Sequence, residues 1–263
     1  MTLGSLEGRS VLITGAGGLG IGRGMVESAL AAGAQVVGVD LSSENAQRLS
    51  ETFPQVRCLV GDIADEDQVE RIFAEAGPVD ALINSAGIGL VKPFYEVEVS
   101  EYDRVHDIDV RGTWLMCRAF TRQLLQRNAA GSIVNVSSVH GSATTEGFAI
   151  YAAAKAAVEG LTRGIAIDLG ASGVRCNAVA PGYVPSEGGA GLPEEYSDEH
   201  RKLVDREVND FQVLNRLMEG RDMGDAAVFL LSDAARGVTG QTLLVDSGLT
   251  LRLYNKSHTQ VQR

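Results

Sequence analysis

The chain has 263 residues, 44% of them apolar, which suits one large α/β domain spanning 1–263 and excludes a disordered protein. Its 34 acidic against 23 basic side chains leave a net charge of −11, so a phosphate backbone is repelled and nucleic acid is not expected as a partner. No apolar run reaches the about 18 residues that a membrane span needs, Met1–Arg9 lacks the cationic start and apolar core of a signal peptide, and a cytoplasmic location is expected. Three scattered cysteines, Cys58, Cys117 and Cys176, read as small buried hydrophobes in a reducing compartment rather than as a disulfide or a metal site.

Short β-branched runs alternate with helical patterns along the chain. Ser10–Thr14 is a strand, followed by a helix from Gly20 to Ala32. Gln35–Asp40 is a strand and Ser43–Thr52 a helix opened by a serine cap. Val56–Gly61 and Val79–Asn84 are strands on either side of a helix at Asp65–Ala76. Two helices fill Glu101–Arg127. Ser132–Ser137 is the fifth strand, Ile150–Leu169 an Ala-rich helix and Val174–Val179 the sixth strand. A helix at Arg221–Ser232 precedes a last strand at Gln241–Val245. Strands alternating with helices of this length imply βαβ units. Runs such as VLIT, ALIN and IVNV are apolar on both faces, as in a sheet covered on both sides. The expected fold is a Rossmann-like, doubly wound parallel sheet of about seven strands. Residues 186–215 break the rhythm, being Gly-rich and then acidic. They follow the carboxyl end of the sixth strand, where a lid over a substrate is expected.

Chemistry is suggested at two places. Between the first strand and helix lies Thr14-Gly15-Ala16-Gly17-Gly18-Leu19-Gly20-Ile21-Gly22. Glycines there permit positive φ and close approach of backbone to a pyrophosphate, and the helix N-terminus attracts its charge. Asp40 ends the second strand, where a carboxylate accepts hydrogen bonds from ribose hydroxyls and repels a 2′-phosphate; no cation follows at Leu41, Ser42 or Ser43, so NAD is expected over NADP. Asp62, with Ile63, either meets the adenine or belongs to the start of the helix at Asp65. Tyr151 and Lys155, four residues apart, share one helix face. A cation beside a phenol favours the phenolate. Ser138, thirteen residues before Tyr151, supplies a hydroxyl for the same reacting oxygen.

These motifs, with Asn84-Ser85-Ala86-Gly87, Asn135-Val136-Ser137-Ser138 and Asn177-Ala178-Val179-Ala180-Pro181-Gly182, make the chain resemble the short-chain dehydrogenase/reductase family from about Leu6 to Leu251. The resemblance implies that Tyr151 exchanges a proton with the substrate oxygen, that Lys155 supports Tyr151 and holds the nicotinamide ribose, and that Ser138 polarises the substrate. It implies that Gly15, Gly17, Gly20, Ile21 and Gly22 meet the pyrophosphate and that Asn84, Ala86 and Gly87 pack along the cofactor. Pro181, Gly182, Val184 and Ser186 would flank the nicotinamide. Asp109 stands where the family usually has an asparagine whose carbonyl holds a water linked to the lysine; it is counted with the catalytic group, and a carboxylate there needs a partner. The Gly-rich turn is one residue longer than usual.

His140, Phe148 and Tyr183 are the substrate-side candidates. Hydroxybutyrate dehydrogenases of the family carry a histidine at the place of His140, but Gly89 and Phe148 replace their other acid-binding residues, so a neutral secondary alcohol, polyol, sugar or cyclic alcohol is expected. No metal is expected. The family is usually dimeric or tetrameric, so a homo-oligomer, a tetramer or dimer, is expected, with Trp114 either core or interface. The leading reading is an NAD-dependent alcohol dehydrogenase or ketone reductase. The alternatives are a non-catalytic dinucleotide sensor and an NADPH-dependent carrier-protein ketoreductase.

Overall fold

Seven strands among the described residues pair in parallel into one sheet. The protein is seen in a computed structural model that describes residues 4–184, 202, 206 and 210–253. In chain order the elements are β1 (Ser10–Thr14), α1 (Ile21–Ala31), β2 (Gln35–Asp40), α2 (Ser43–Thr52), β3 (Arg57–Val60), α3 (Glu66–Ala76) and β4 (Ala81–Asn84). They continue with α4 (Val99–His106), α5 (Thr113–Gln126), β5 (Gly131–Val136), α6 (Ala149–Leu169), β6 (Val174–Pro181), α7 (Gly220–Leu231) and β7 (Thr242–Val245). The strand order is β3-β2-β1-β4-β5-β6-β7. The order reverses between β1 and β4, whose last residues Thr14 and Asn84 lie side by side. Helices leave β1 and β4 toward opposite sides there, and the gap between them is the place where such sheets bind ligands.

Alternation along the strands builds the two faces. Val11, Ile13, Ile83, Val134 and Val136 join Met25, Val26, Met223 and Leu231 on the side of α1 and α7. Leu12, Leu82 and Ile133 join Ile72, Phe73, Leu115, Phe120 and Leu124 on the side of α3 and α5. The period of two sends neighbouring residues into opposite cores.

Helix starts are chemically marked. Ser42 caps α2 by accepting from Asn45 N, and Asp65 caps α3 by accepting from Gln68 N. The region expected as two helices holds α4 and α5, with a π-helical turn between them. Asp107–Gly112 forms a π-helical turn, and His106, Asp107 and Thr113 all keep right-handed helical backbone, so α4 and α5 join without a break. Gly112 makes room at this wide turn: a Cβ there would meet Ile63 side-chain carbons at 2.8 Å. The first residues assigned to the third, fourth and seventh strands, Val56, Val79 and Gln241, precede the ladders, whereas β6 runs on to Pro181.

Glycines also shape the contact of α1 with α7. A Cβ on Gly24 would lie 2.0 Å from Gly220 C, and one on Gly224 would lie 2.3 Å from Gly24 O. Gly20 and Gly24 face Gly220 and Gly224, so the two backbones touch directly. Of the expected lid, only residues 202, 206 and 210–215 are described, and Ser186 lies outside the described residues. Val213 N and Leu214 N donate to Ser247 O at 2.8 and 3.0 Å, which ties this stretch to the loop after β7.

Candidate active site

The Gly-rich turn forms the end of the crevice between β1 and β4. Gly15 adopts φ +65°, and a Cβ there would meet Ala86 Cα at 2.9 Å. A Cβ on Gly22 would come within 1.9 Å of Gly15 O, so the first turn of α1 packs on bare backbone. Thr14 Oγ1 accepts from both Ser85 N and Ala86 N at 3.1 Å, stitching the loop after β4 to this turn. No side chain caps α1, whose first N–H groups and positive dipole end are left for an anion. The extra residue is absorbed where Gly18 N bonds back to Gly15 O and Gly17 leans on α2, 2.7 Å from Asn45 O at the position of a Cβ.

Asp40 is buried and already partnered. Its Oδ2 accepts from Gly17 N at 3.0 Å, and its Oδ1 accepts from Ser42 N at 3.0 Å and Asn45 Nδ2 at 3.2 Å. A carboxylate offers about four acceptor positions, so one remains. Arg48 reaches back from α2 to Gly17 O at 2.9 Å and Asn45 Oδ1 at 2.7 Å. The sequence offered no cation at 41–43; the helix turn supplies one from further along. Asp62 accepts from Ala64 N at 2.8 Å in a local turn, and the Ile63 side chain is buried in the core. Asn84 turns inward as well, donating to Asn135 Oδ1 at 2.9 Å. Asn135 donates in turn to Thr162 Oγ1 at 2.9 Å, so a polar thread crosses the sheet from β4 to α6.

The second cluster is built on α6. Lys155 is buried, with its ammonium 5.4 Å from the centroid of the Tyr151 ring. It donates to Val136 O at 3.2 Å and meets Asp109 Oδ2 at 3.0 Å. Opposite charge at this distance holds the pair together. Asp109 Oδ1 accepts from Ile88 N at 2.8 Å, and its backbone carbonyl accepts from Thr113 Oγ1 at 2.7 Å. The partner that a carboxylate at 109 requires is therefore Lys155 itself. Gly87 lies directly above, since a Cβ there would be 3.1 Å from Lys155 Nζ. Burial favours the neutral lysine, yet the charges of Asp109 and Tyr151 outweigh it and hold the Lys155 pKa above its ordinary value.

Ser138 and Ser137 part company. Ser137 Oγ donates to Glu159 Oε1 at 3.0 Å and lies 3.3 Å from Lys155 O, so it is committed to α6. Ser138 Oγ accepts from His140 N at 3.2 Å, which leaves its own proton to donate. His140 stacks on Phe148 with centroids 4.3 Å apart and meets the edge of Tyr151 at 5.6 Å. Its Nδ1 is 2.9 Å from Thr144 Oγ1, and burial holds its pKa below the usual histidine value. His140, Phe148 and Tyr151 thus form one aromatic wall beside Ser138. Pro181 and Gly182 end β6, with Gly182 N donating to Val245 O at 3.0 Å; Val184 packs on the core and Tyr183 is half-buried.

Three residues with parts in this site had no role assigned from sequence. Thr14 acts through backbone distant in the chain, and Thr113 through the Asp109 carbonyl one turn back on the same helical run. Glu159 stands four residues after Lys155 on the same stripe of α6, a spacing that was available to find it. Trp114, by contrast, is 43% exposed, with Arg118 stacked 4.8 Å from its ring.

Residues 15–250 match the family model described as enoyl-(acyl carrier protein) reductase. The chain is 35% identical over 248 residues to L-xylulose reductase of Homo sapiens, covering 92% of this chain and 97% of that one. The chain belongs to the short-chain dehydrogenase/reductase family. Another member, a 2,5-dichloro-2,5-cyclohexadiene-1,4-diol dehydrogenase of Sphingobium indicum, is 36% identical over 256 residues, 93% of this chain and 98% of that one. Among solved members, a gluconate 5-dehydrogenase from Burkholderia cenocepacia in complex with NADP and tartrate superimposes with a TM-score of 0.83 at 31% identity, over 95% of this chain and 98% of that one. These relatives are oxidoreductases of sugars, polyols and a cyclic diol, and the chain is an alcohol/ketone oxidoreductase of this family. No helix among the described residues is long and apolar enough to cross a membrane.

Proposed function

We propose that this protein is an NAD-dependent dehydrogenase that interconverts a neutral secondary alcohol and its ketone, the alcohol being a polyol, a sugar or a cyclic alcohol. The observation that carries this is the buried Lys155 ammonium beneath the Tyr151 ring, with the Ser138 turn joined to that ring through His140. The Gly15–Gly22 cradle, where a Cβ at Gly15, Gly17 or Gly22 would strike backbone, fits a dinucleotide pyrophosphate. When bound, the nicotinamide supplies the hydride acceptor or donor.

In oxidation, Ser138 Oγ donates to the substrate oxygen and fixes it beside Tyr151, which takes the hydroxyl proton. Lys155 uses two directions on Val136 O and Asp109 and keeps a third N–H for the ribose. The aromatic wall of His140 and Phe148 covers the carbon face of the substrate and shields the reacting oxygen from water. The mixed character of that wall suits a ring or chain bearing several hydroxyls.

Asp40 supports NAD, because its buried charge opposes a 2′-phosphate. Two observations favour NADP: Arg48, a cation beside the same turn, and the NADP bound to the gluconate 5-dehydrogenase that this fold resembles. Oxidation of a panel of secondary alcohols, polyols and sugars is followed by the absorbance of reduced nicotinamide with NAD and NADP in parallel. Tyr151→Phe should lose about 100-fold or more in kcat while still binding the dinucleotide. Asp40→Ala should erode the NAD preference. Turnover that survives in Tyr151→Phe sinks the proton-transfer assignment, and a wild-type preference for NADP sinks the cofactor assignment.

A further inference from the structure

The Asp109–Lys155 pair has a consequence for the reaction, and it rests on the dehydrogenase reading given above. We propose that Asp109 is a positioning residue that neutralises the Lys155 ammonium, so that the site takes its proton at a more alkaline pH and binds the oxidised dinucleotide preferentially over the reduced one.

The pair is enclosed. The Asp109 side chain is 0% exposed and that of Lys155 is 6%. Interactions between charges so deeply placed are weakly screened by solvent. The carboxylate is fixed before any ligand arrives, by Ile88 N on Oδ1 and by the Thr113 hydroxyl on its own backbone carbonyl. The π-helical turn at Asp107–Gly112 carries Asp109 inward against α6. An unpaired ammonium beneath Tyr151 would pull the phenol toward its charged form. An anion 3.0 Å from that ammonium cancels most of its field at distances longer than the pair itself.

The other charged and titratable groups around Lys155 can be named among the described residues. On α6 these are Tyr151, at 5.4 Å to the ring, and Glu159, which accepts from Ser137 on its far side. The loop after β5 offers His140 at the Tyr151 edge, and its lowered pKa keeps it neutral above the ordinary histidine range. The loop after β4 brings only the backbone of Gly87 and Ile88. On the π-helical turn, Asp107 and Arg111 are both exposed, 3.8 Å apart and paired with each other. Lys155 stays charged across the alkaline range, because its pKa is raised. Asp109 is thus the fixed charge that a pH profile can report.

The second consequence follows from the same sum. The nicotinamide ring is cationic when oxidised and neutral when reduced. A bare ammonium at the ribose repels the oxidised form, and a neutral pair does not.

The test exchanges Asp109 for Asn, with Asp109→Ala beside it so that one folded variant suffices. The first readout is kcat for alcohol oxidation against pH. The acid limb of the profile should move to lower pH by about one unit, since one removed charge close to the site is worth that order. The second readout needs no turnover: dissociation constants for NAD+ and NADH from quenching of protein fluorescence. Their ratio, NAD+ over NADH, should rise about threefold or more, equivalent to about half a pH unit or more. A purely structural role weakens both cofactors in parallel and leaves the limb in place, and that result overturns the proposal. If no alcohol is turned over but both cofactors bind, the ratio still decides the role of Asp109, and the dehydrogenase reading alone falls. If neither cofactor binds, both fall.

Discussion

Replacing Gly24 by Ala tests whether α1 and α7 are held by direct backbone contact. An added Cβ would lie 2.0 Å from Gly220 C, 2.3 Å from Gly220 O and 2.4 Å from Arg221 N. Ordinary carbon contacts fall near ~3.5 Å, so the two backbones must part by roughly 1.5 Å at this point. No flexible side chain can yield instead, because all three atoms are main chain. Forced insertion into a packed seam costs about 1–3 kcal/mol, and a backbone clash belongs at the upper end. Alanine returns about 1 kcal/mol through its better helix propensity. The net loss of about 2 kcal/mol corresponds to a fall in Tm of roughly 4–8 °C for a chain of this size. Gly164→Ala on α6 is the control, since nothing lies within 4 Å of its added Cβ. There the propensity gain stands alone, and Tm should rise by roughly 2–4 °C. Thermal unfolding followed by circular dichroism, with and without NAD+, reads both variants. Because α1 carries the cradle at its N-terminus, Gly24→Ala should also weaken the stabilisation by NAD+. A Gly24→Ala protein that melts at or above the wild type would refute the close-contact argument.

Two further outcomes are expected. Burial first, and then the charge of Asp40, pushes the Cys58 thiol up to about 11; burial takes Cys117 to about 12 and Cys176 well above its usual value. The folded protein should therefore resist alkylation by iodoacetamide near neutral pH until denaturant is added, and rapid labelling of the native state, read by mass spectrometry, would contradict it. Glu159→Ala should lower kcat about 3–10-fold with little change in KM, by freeing Ser137 and slackening the turn that presents Ser138, whereas Glu159→Gln, which still offers an acceptor, should retain most of it. An equal loss in both variants would assign the effect to charge rather than to the hydrogen bond.

The sheet was legible because burial on both faces writes itself into short sequence windows. Val11-Leu12-Ile13 and Ala81-Leu82-Ile83 read as strands, and they do fill two cores in alternation. Tyr151 and Lys155 were placed on one face by helix geometry alone, because one turn spans their spacing. The cradle was legible for the same local reason: glycines between a strand and a helix leave few conformations open. The serine cap of α2 and the aromatic candidates around Tyr151 are local features of this kind.

What remained hidden depends on segments distant in the chain. The sequence shows a carboxylate at 109 that needs a partner, but only the packing of the π-helical turn against α6 makes that partner Lys155. The neighbours of Asp40 come from the turn after β1 and from α2, so its hydrogen bonds and the reach of Arg48 appear only once those elements meet. Gly24 and Gly220 belong to opposite ends of the sequence, and their spacing carries no sign that they touch. Sequence by itself determined the elements, their alternation and the residues brought together on one turn or one helix face, because those follow from local backbone sterics and periodicity. The tertiary structure alone decided which charges are paired and which glycines bear backbone contact, because both are set by distances between elements that no local pattern encodes.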